Sequence, residues 1–384
     1  MNSIIKYIAF IFLFVNVVFS IKNGGEVGSI LFYICMGLAL FTIILSPYLL
    51  KETIFNKGFS LFYWINLINL IYFIALDFGD IESFKYLIAR FVQFSLFSFS
   101  ILLLKDNFVS HLITFLKYLC FLSLFLSFII DTPGISTRYM GIFFNPNEFS
   151  ILMVTGFAIF LFDEKKIFIN YLALILFLLA IILSGSRSAI LGIVLSLIVY
   201  FNHHGLKNIF NLFFICGFTI VFTYFTGDYN AITRIFNEDL FSNRIYEYLY
   251  AIETLMQKPV FGYGLKNYAY IDTSLISFDD VQIDFGAHNG YLSLLVQYGL
   301  FFGFIYLIIL LYNLIRIFLS DKKIFGENIL HTKFLVFILI YSLVNGMFEN
   351  NFVGINFFQS NLFWLVLGYL IYKKYRHESH SLSN

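Results

Sequence analysis

The 384-residue chain is 60% hydrophobic and only 12% charged, with a net charge of +1 and a mean hydropathy of +0.85. That composition excludes a soluble globular domain, and the near-neutral charge excludes a nucleic-acid partner. What remains is a polytopic membrane protein: an all-α bundle of about twelve spans at roughly 20 apolar residues each, with one large extramembrane loop containing short helices.

In chain order, apolar runs fall at 4–21, 29–50, 59–76, 86–104, 109–130, 148–163, 168–184, 188–201, 208–225, 290–315, 333–348 and 357–372, and each reads as a transmembrane helix. The first, with Lys6 ahead and Val18-Phe19-Ser20 behind, has the outline of a cleaved signal peptide. A retained span is favoured, because the charge pattern works only if that run counts. Cys35, Cys120 and Cys216 sit singly inside apolar runs without ligand spacing, so they read as small buried hydrophobes. No metal, disulfide or cofactor is expected. The 53 Phe suit lipid-facing surfaces.

Sidedness follows from lysine. Alternate connections hold Lys6, then Lys51 and Lys57, Lys105, Lys165 and Lys166, Lys207, then Arg316, Lys322 and Lys323, and finally Lys373, Lys374 and Arg376. Those connections and both termini are expected to be cytoplasmic, with Lys117 snorkelling to the same side. The remaining connections, near 22–28, 77–85, 131–147, 185–187, 226–289 and 349–356, then face outward. Of the seven arginines only Arg316 and Arg376 follow the lysines, while Arg90, Arg138, Arg187, Arg234 and Arg244 fall on the outer side. A topology signal needs only charge, whereas a planar guanidinium fork suits a diphosphate. The plainer alternative is that these arginines pair with the outer acids Glu148, Glu238, Asp239 and Glu247.

Three settings stand out. Arg138 precedes Gly141-Ile142-Phe143-Phe144-Asn145-Pro146-Asn147-Glu148. There Asn147 either caps the next helix or, with the helix N-terminus, offers donors to an anionic or sugar ligand. Ser184-Gly185-Ser186-Arg187-Ser188 is a tight polar hairpin with no acid nearby in sequence, so Arg187 is either interfacial or part of an anion site. In the large loop, helical periodicity runs from Asn243 to Met256, with Ile245, Leu249, Ile252 and Met256 on one face and Ser242 as N-cap. The helix is expected to stop before Pro259. Arg244 opposes the helix dipole in its first turn, with Glu247 in reach as an ordinary partner. Gly262-Tyr263-Gly264-Leu265-Lys266-Asn267 reads as a flexible turn. No strand precedes it, so it is not taken as a nucleotide loop. His288 opens the next span with Asn289 and Gly290, placing an imidazole at the outer surface, where it is either structural or a base.

Asn-Pro-Asn before a span, Ser-Gly-Ser-Arg between two spans, Asn-Arg and then Gly-Tyr-Gly in a large outer loop, and Ala-His-Asn-Gly opening the next span together resemble the O-antigen ligase and Wzy polymerase superfamily. The resemblance covers 131 to about 310, and its force lies in the order, spacing and sidedness of the set. It implies a bacterial inner-membrane glycosyltransferase with a periplasmic site. The implied donor is an undecaprenyl-diphosphate-linked oligosaccharide, and the acceptor a lipid-linked repeat unit or lipid A core. No nucleotide sugar or metal is implied, and a chain-length regulator is a candidate partner.

By that resemblance Arg187 and Arg244 hold the lipid diphosphate and His288 activates the acceptor. Arg138 and Asn147 follow as substrate-binding candidates with Asn289 and Lys266, then Arg90 and Glu349. The organisation expected is 1–130 as N-terminal helices, 131–225 as helices carrying the Asn-Pro-Asn and Ser-Gly-Ser-Arg motifs, 226–289 as the periplasmic loop, and 290–384 as C-terminal helices and tail. Chain length and aromatic richness favour a polymerase over a ligase. A flippase is the rival from another class, disfavoured because no internal repeat is seen and the ionisable residues lie at one face. The site reading requires Arg187, Arg244 and His288 to converge, with the loop folded over a cavity.

Overall fold

Every apolar run within the described residues forms a helix. The structure, a computed structural model, describes residues 5–131, 138–164, 167–201, 244–275, 286–320, 328–350 and 352–381. Its principal helices are α1 (Ile8–Phe19), α2 (Gly25–Leu45), α3 (Pro47–Phe55), α4 (Ser60–Leu76), α5 (Ile81–Leu104) and α6 (Phe108–Ile130). They continue with α7 (Pro146–Leu161), α8 (Phe168–Leu183), α9 (Arg187–Phe201), α10 (Arg244–Gln257), α11 (Gly290–Phe318), α12 (Ile329–Asn345) and α13 (Phe358–Ser381). Among the described residues there is no strand, only an isolated bridge between Ile21 and Phe143. The expected run at 208–225, the Ser242 cap, Arg234, Glu238, Asp239, Cys216, Lys165, Lys166, Lys207, Lys322 and Lys323 lie outside the described residues.

Among the described residues four helical stretches are long and apolar enough to cross a bilayer: Gly25–Leu45, Lys57–Leu76, Ile81–Ile130 and Gly290–Phe318. The 50-residue stretch contains α5 and α6, divided by a turn in which Lys105 has φ 48°. Five shorter apolar helices, α1, α7, α8, α9 and α12, accompany them. The run at 29–50 is in fact two helices, because Pro47 cannot continue α2 and pushes Ser46 out of helical conformation (φ −128°, ψ 65°).

The connections gather into two sets of contacts, and the hydrophobic helices run between them. In one set Asp106 pairs with Lys373 and Arg376, Arg316 with Glu378, and Lys117 with Asp163. In the other, Lys22 N donates to Ile142 O (2.7 Å), Tyr139 N to Leu183 O (2.9 Å) and Gly290 N to Gly346 O (2.7 Å). The first set is where the sequence concentrates lysine; the second carries the Asn-Pro-Asn, Ser-Gly-Ser-Arg and Ala-His-Asn-Gly motifs and is called the motif end below.

The interior mixes aliphatic side chains with many aromatic rings, so phenylalanine is not confined to lipid-facing positions. Phe62 stacks on Phe94 at 4.3 Å, Phe108 on Tyr369 at 4.7 Å and Phe59 on Tyr372 at 5.2 Å between centroids. Cys35 and Cys120 are free and buried.

The Gly262–Gly264 turn is locked rather than flexible. Gly262 (φ 68°) and Gly299 (φ 69°) cross backbone to backbone, so a Cβ on Gly262 would lie 2.4 Å from Gly299 N, and one on Gly299 2.3 Å from Val260 O. Gly299 breaks α11, and the amides freed there are taken up by the turn: Leu300 N donates to Pro259 O and Phe301 N to Val260 O. Gly299→Ala should therefore lower the unfolding temperature of the purified protein, costing about 1–3 kcal/mol from backbone conformation alone. Gly37→Ala, where an added Cβ meets nothing within 4 Å, should be neutral or mildly stabilising in the same assay.

Candidate functional site

Local sequence sets up the pieces. Asn145, not Asn147, caps α7: its side chain accepts from Asn147 N at 2.8 Å, with Pro146 preset at the first helical position. Asn147 is thereby freed to point elsewhere. Asn289 caps α11 by accepting from Tyr291 N and Leu292 N, both at 3.0 Å, so its oxygen serves the helix. The residue before it, His288, is held in left-handed backbone conformation (φ 35°), a strained state for a side chain of this size.

The pieces meet at Glu349, in the connection between α12 and α13. Its side chain is only 6% exposed. Oε1 accepts from Arg244 Nη2 at 3.2 Å and from Asn147 Nδ2 at 3.0 Å, while Oε2 faces His288 Nδ1 at 3.6 Å, just beyond hydrogen-bond length. Arg138 extends the chain of contacts, donating through Nη2 to Asn147 Oδ1 (2.8 Å) and through Nε to Ser184 O (3.1 Å). Arg244 Nη1 also reaches Phe348 O and, at 3.4 Å, His288 O. Five sequence-nominated residues, Arg138, Asn147, Arg244, His288 and Glu349, thus form one network tied to the Ser184 turn.

Electrostatics follow from burial and proximity. Burial alone would push the Glu349 carboxyl up, but pairing with His288 and the charge of Arg244 hold it below the ordinary carboxylate value. Burial would likewise lower His288, yet pairing with Glu349 and the charge of Glu247 raise it above the ordinary imidazole value, against the opposing charge of Arg244. Glu247, expected as the simple i,i+3 partner of Arg244, is buried and acts on Arg244 by charge, after Glu349. The side chains of His288 and Arg244 remain 20% and 22% exposed, open to a ligand that Glu349 cannot reach.

The other candidates are placed differently. Arg187 opens α9 three residues beyond Ser184, next to the turn that Arg138 grips. Arg90 lies inside α5, within the span expected at 86–104, and is 1% exposed. Its guanidinium donates to Val353 O, Tyr86 Oη (2.8 Å) and Gln93 Oε1 (2.9 Å), so it pins the Glu349 connection from below. Lys266 is held by Asp80 at 2.5 Å. It borders a cleft of about 650 Å³ between α2, α5 and the 266–268 segment, with Ile355 and Asn356 on its wall. None of Arg244, His288 and Glu349 lines this cleft, although Ile355 and Asn356 belong to the connection that carries Glu349.

Sequence reasoning ranked Glu349 last, yet it is the hub. The available signal was that Glu349 is the single acid in 346–357, facing a motif end rich in arginine.

Fold and cluster together define a helical membrane protein with a buried carboxylate joining an imidazole, one guanidinium directly and a second through Asn147 at one end of the bundle. Residues 172–308 match the family model of the O-antigen ligases (Wzy_C). The match supports the O-antigen ligase/Wzy superfamily, and it takes in Ser184–Ser188, Arg244, Gly262–Gly264 and His288–Gly290. Arg138, Asn147 and Glu349 lie outside the matched stretch. No curated protein matches this chain.

Proposed function

We propose that this chain is a bacterial inner-membrane glycosyltransferase that joins undecaprenyl-diphosphate-linked repeat units at the periplasmic face, an O-antigen or related surface-polysaccharide polymerase. The observation that carries the reading is the Glu349 cluster, which gathers His288, Arg244 and, through Asn147, Arg138 at the motif end. About twelve spans, both termini cytoplasmic, bring that end to the periplasm. The units 1–130, 131–225, 226–289 and 290–384 then act as scaffold, motif helices, periplasmic loop and C-terminal helices.

In the reaction, His288 Nε2 takes the proton of an acceptor sugar hydroxyl, and Glu349 fixes the ring from the Nδ1 side. The hydroxyl oxygen attacks the anomeric carbon as the bond from that carbon to the phosphate oxygen breaks. The electron pair leaves on undecaprenyl diphosphate, whose growing charge Arg244 and Arg187 stabilise. Attack opposite the leaving group inverts the anomeric carbon, and the imidazolium returns its proton to solvent. No metal or nucleotide sugar enters this scheme. Arg138 and Asn147 hold the donor-side wall, while Asn289, Lys266 and Arg90 act through the backbone and connections they secure.

The alternative is the ligase reading, transfer of a finished chain to lipid A core, which the family match fits equally. The polysaccharide ladder of a null strain separates the two. Core with a single repeat unit identifies a polymerase; bare core with long chains retained on undecaprenyl diphosphate identifies a ligase. Complementation with Arg187→Ala, Arg244→Ala or His288→Ala at matched expression should fail to restore the ladder. Restoration by all three would overturn the site and return weight to a flippase.

A further inference from the structure

Helix α10 is amphipathic in the opposite sense to a water-exposed helix. Ile245, Leu249, Ile252 and Met256 share one face at helical spacing, and that face points outward, with the four side chains 50%, 51%, 44% and 65% exposed. The inward face carries Glu247, Ala251 and Thr254, all buried. A soluble loop helix would place these sets the other way round.

The surroundings of α10 indicate what covers the outward face. α10 runs parallel to the first part of α11: Arg244 contacts His288 O at one end, and Pro259 O and Val260 O accept from Leu300 N and Phe301 N at the other. The apolar face continues through Val260 and Phe261, 52% and 48% exposed, to the Phe261–Phe301 ring contact at 6.5 Å. Phe301 begins the outward stripe of α11 that includes Phe304 and Ile308, 52% and 63% exposed, on a helix long and apolar enough to span a bilayer. The two apolar surfaces adjoin, and the exposed Glu253 lies on the flank of the α10 stripe, beside Leu249 and Ile252.

The geometry points to α10 and the Val260–Phe261 tip being seated in the hydrocarbon of the outer leaflet, so that the loop carrying Arg244 is a membrane-inserted hairpin and not a soluble cap. The inference holds whichever sugar-transfer reaction the Glu349 cluster performs. Its consequence for that cluster is that Arg244, at the head of α10, is mounted on the bilayer from which a lipid-linked anion arrives.

The test uses the full chain in nanodiscs, with Cys35, Cys120 and Cys216 replaced by alanine and single cysteines introduced as Ile252→Cys or Met256→Cys and labelled with bimane. Phe301→Cys serves as the lipid-facing reference and Ser274→Cys, on an exposed turn, as the aqueous one. Quenching of positions 252 and 256 by brominated phospholipid to the extent seen at 301, with protection from iodide, is expected. Iodide quenching like that at 274 would overturn the inference. So would protection from both quenchers, which would mean that a second copy or another stretch of protein covers the face. Should the cysteine-free background fold poorly, a photoreactive phenylalanine at 252 in the otherwise native chain gives an independent readout: a phospholipid adduct is expected, and a peptide adduct would overturn it.

Discussion

Glu349→Ala is expected to abolish the polysaccharide ladder and to destabilise the protein by about 3–5 kcal/mol, because it leaves Arg244 partly buried without its carboxylate. Asn147 Nδ2 loses an acceptor in the same step, and the ring of His288 loses its fixed partner. The measurement is thermal unfolding of purified protein beside the ladder at matched expression. Glu349→Gln separates charge from shape, since the amide oxygen still accepts from Arg244 and Asn147 while the charge opposite His288 disappears. It should recover much of the stability but not the activity. A fully active Glu349→Gln would remove the carboxylate from the proposed mechanism.

The sign of the pH dependence follows from the two shifts. Glu349, held below its ordinary value, contributes stability above about pH 4.5 and loses it as pH falls through the lowered value. His288, raised, contributes stability below about pH 6.5 and loses it as pH rises through the raised value. The pair therefore stabilises the motif end most between about pH 4.5 and 6.5. Glu349→Gln should flatten that window.

His288→Ala should lower the transfer rate by roughly 10²–10⁴-fold, the usual range for a lost general base, with little change in donor affinity. As base the imidazole must be neutral, so wild-type rate should climb with pH through an apparent pKa above the ordinary 6.5. In Glu349→Gln any residual activity should show that limb moved to lower pH, because the partner that raises His288 is gone. Single-turnover transfer from a purified lipid-linked donor across pH 5–9 reads both effects, taking about two units either side of the imidazole value. A wild-type profile without a limb in this interval would mean that His288 does not carry the proton. Arg244→Lys is not expected to substitute in the same assay, since one ammonium cannot engage Phe348 O and Glu349 with the geometry of a planar fork.

Much of the fold is visible in the residues taken alone. Pro47 ends α2, and Pro259 follows the end of α10 at Gln257, because a ring on the backbone nitrogen acts on its immediate neighbours. Lysine marks one end of the bundle because charge is excluded from hydrocarbon wherever it falls in the chain. Run length and periodicity place the helices for the same reason: each is a property of a few consecutive residues and their solvent. Even here neighbours compete, as Asn145 and Asn147 show, since either can cap α7 and the choice is made by Asn147 finding Arg138 and Glu349 instead.

The site was legible as a set of residue types and not as a geometry. Arg244, His288, Arg138 and Asn147 were named from their local settings, but the carboxylate that organises them lies 105 residues from Arg244 and 202 from Asn147. Nothing in the spacing of one motif reports its distance to another. Periodicity likewise defines an apolar stripe on α10 without telling which face is packed, and the Gly262–Gly264 turn reads as flexible in sequence because Gly299, which locks it, is distant in the chain. Composition and local pattern determined a helical membrane protein with one long polar connection, because hydropathy and backbone preference act between near neighbours. The tertiary structure decided that Glu349 is the hub, that Arg90 serves the scaffold and that α10 faces outward, because those outcomes depend on which distant surfaces the packed helices bring into contact.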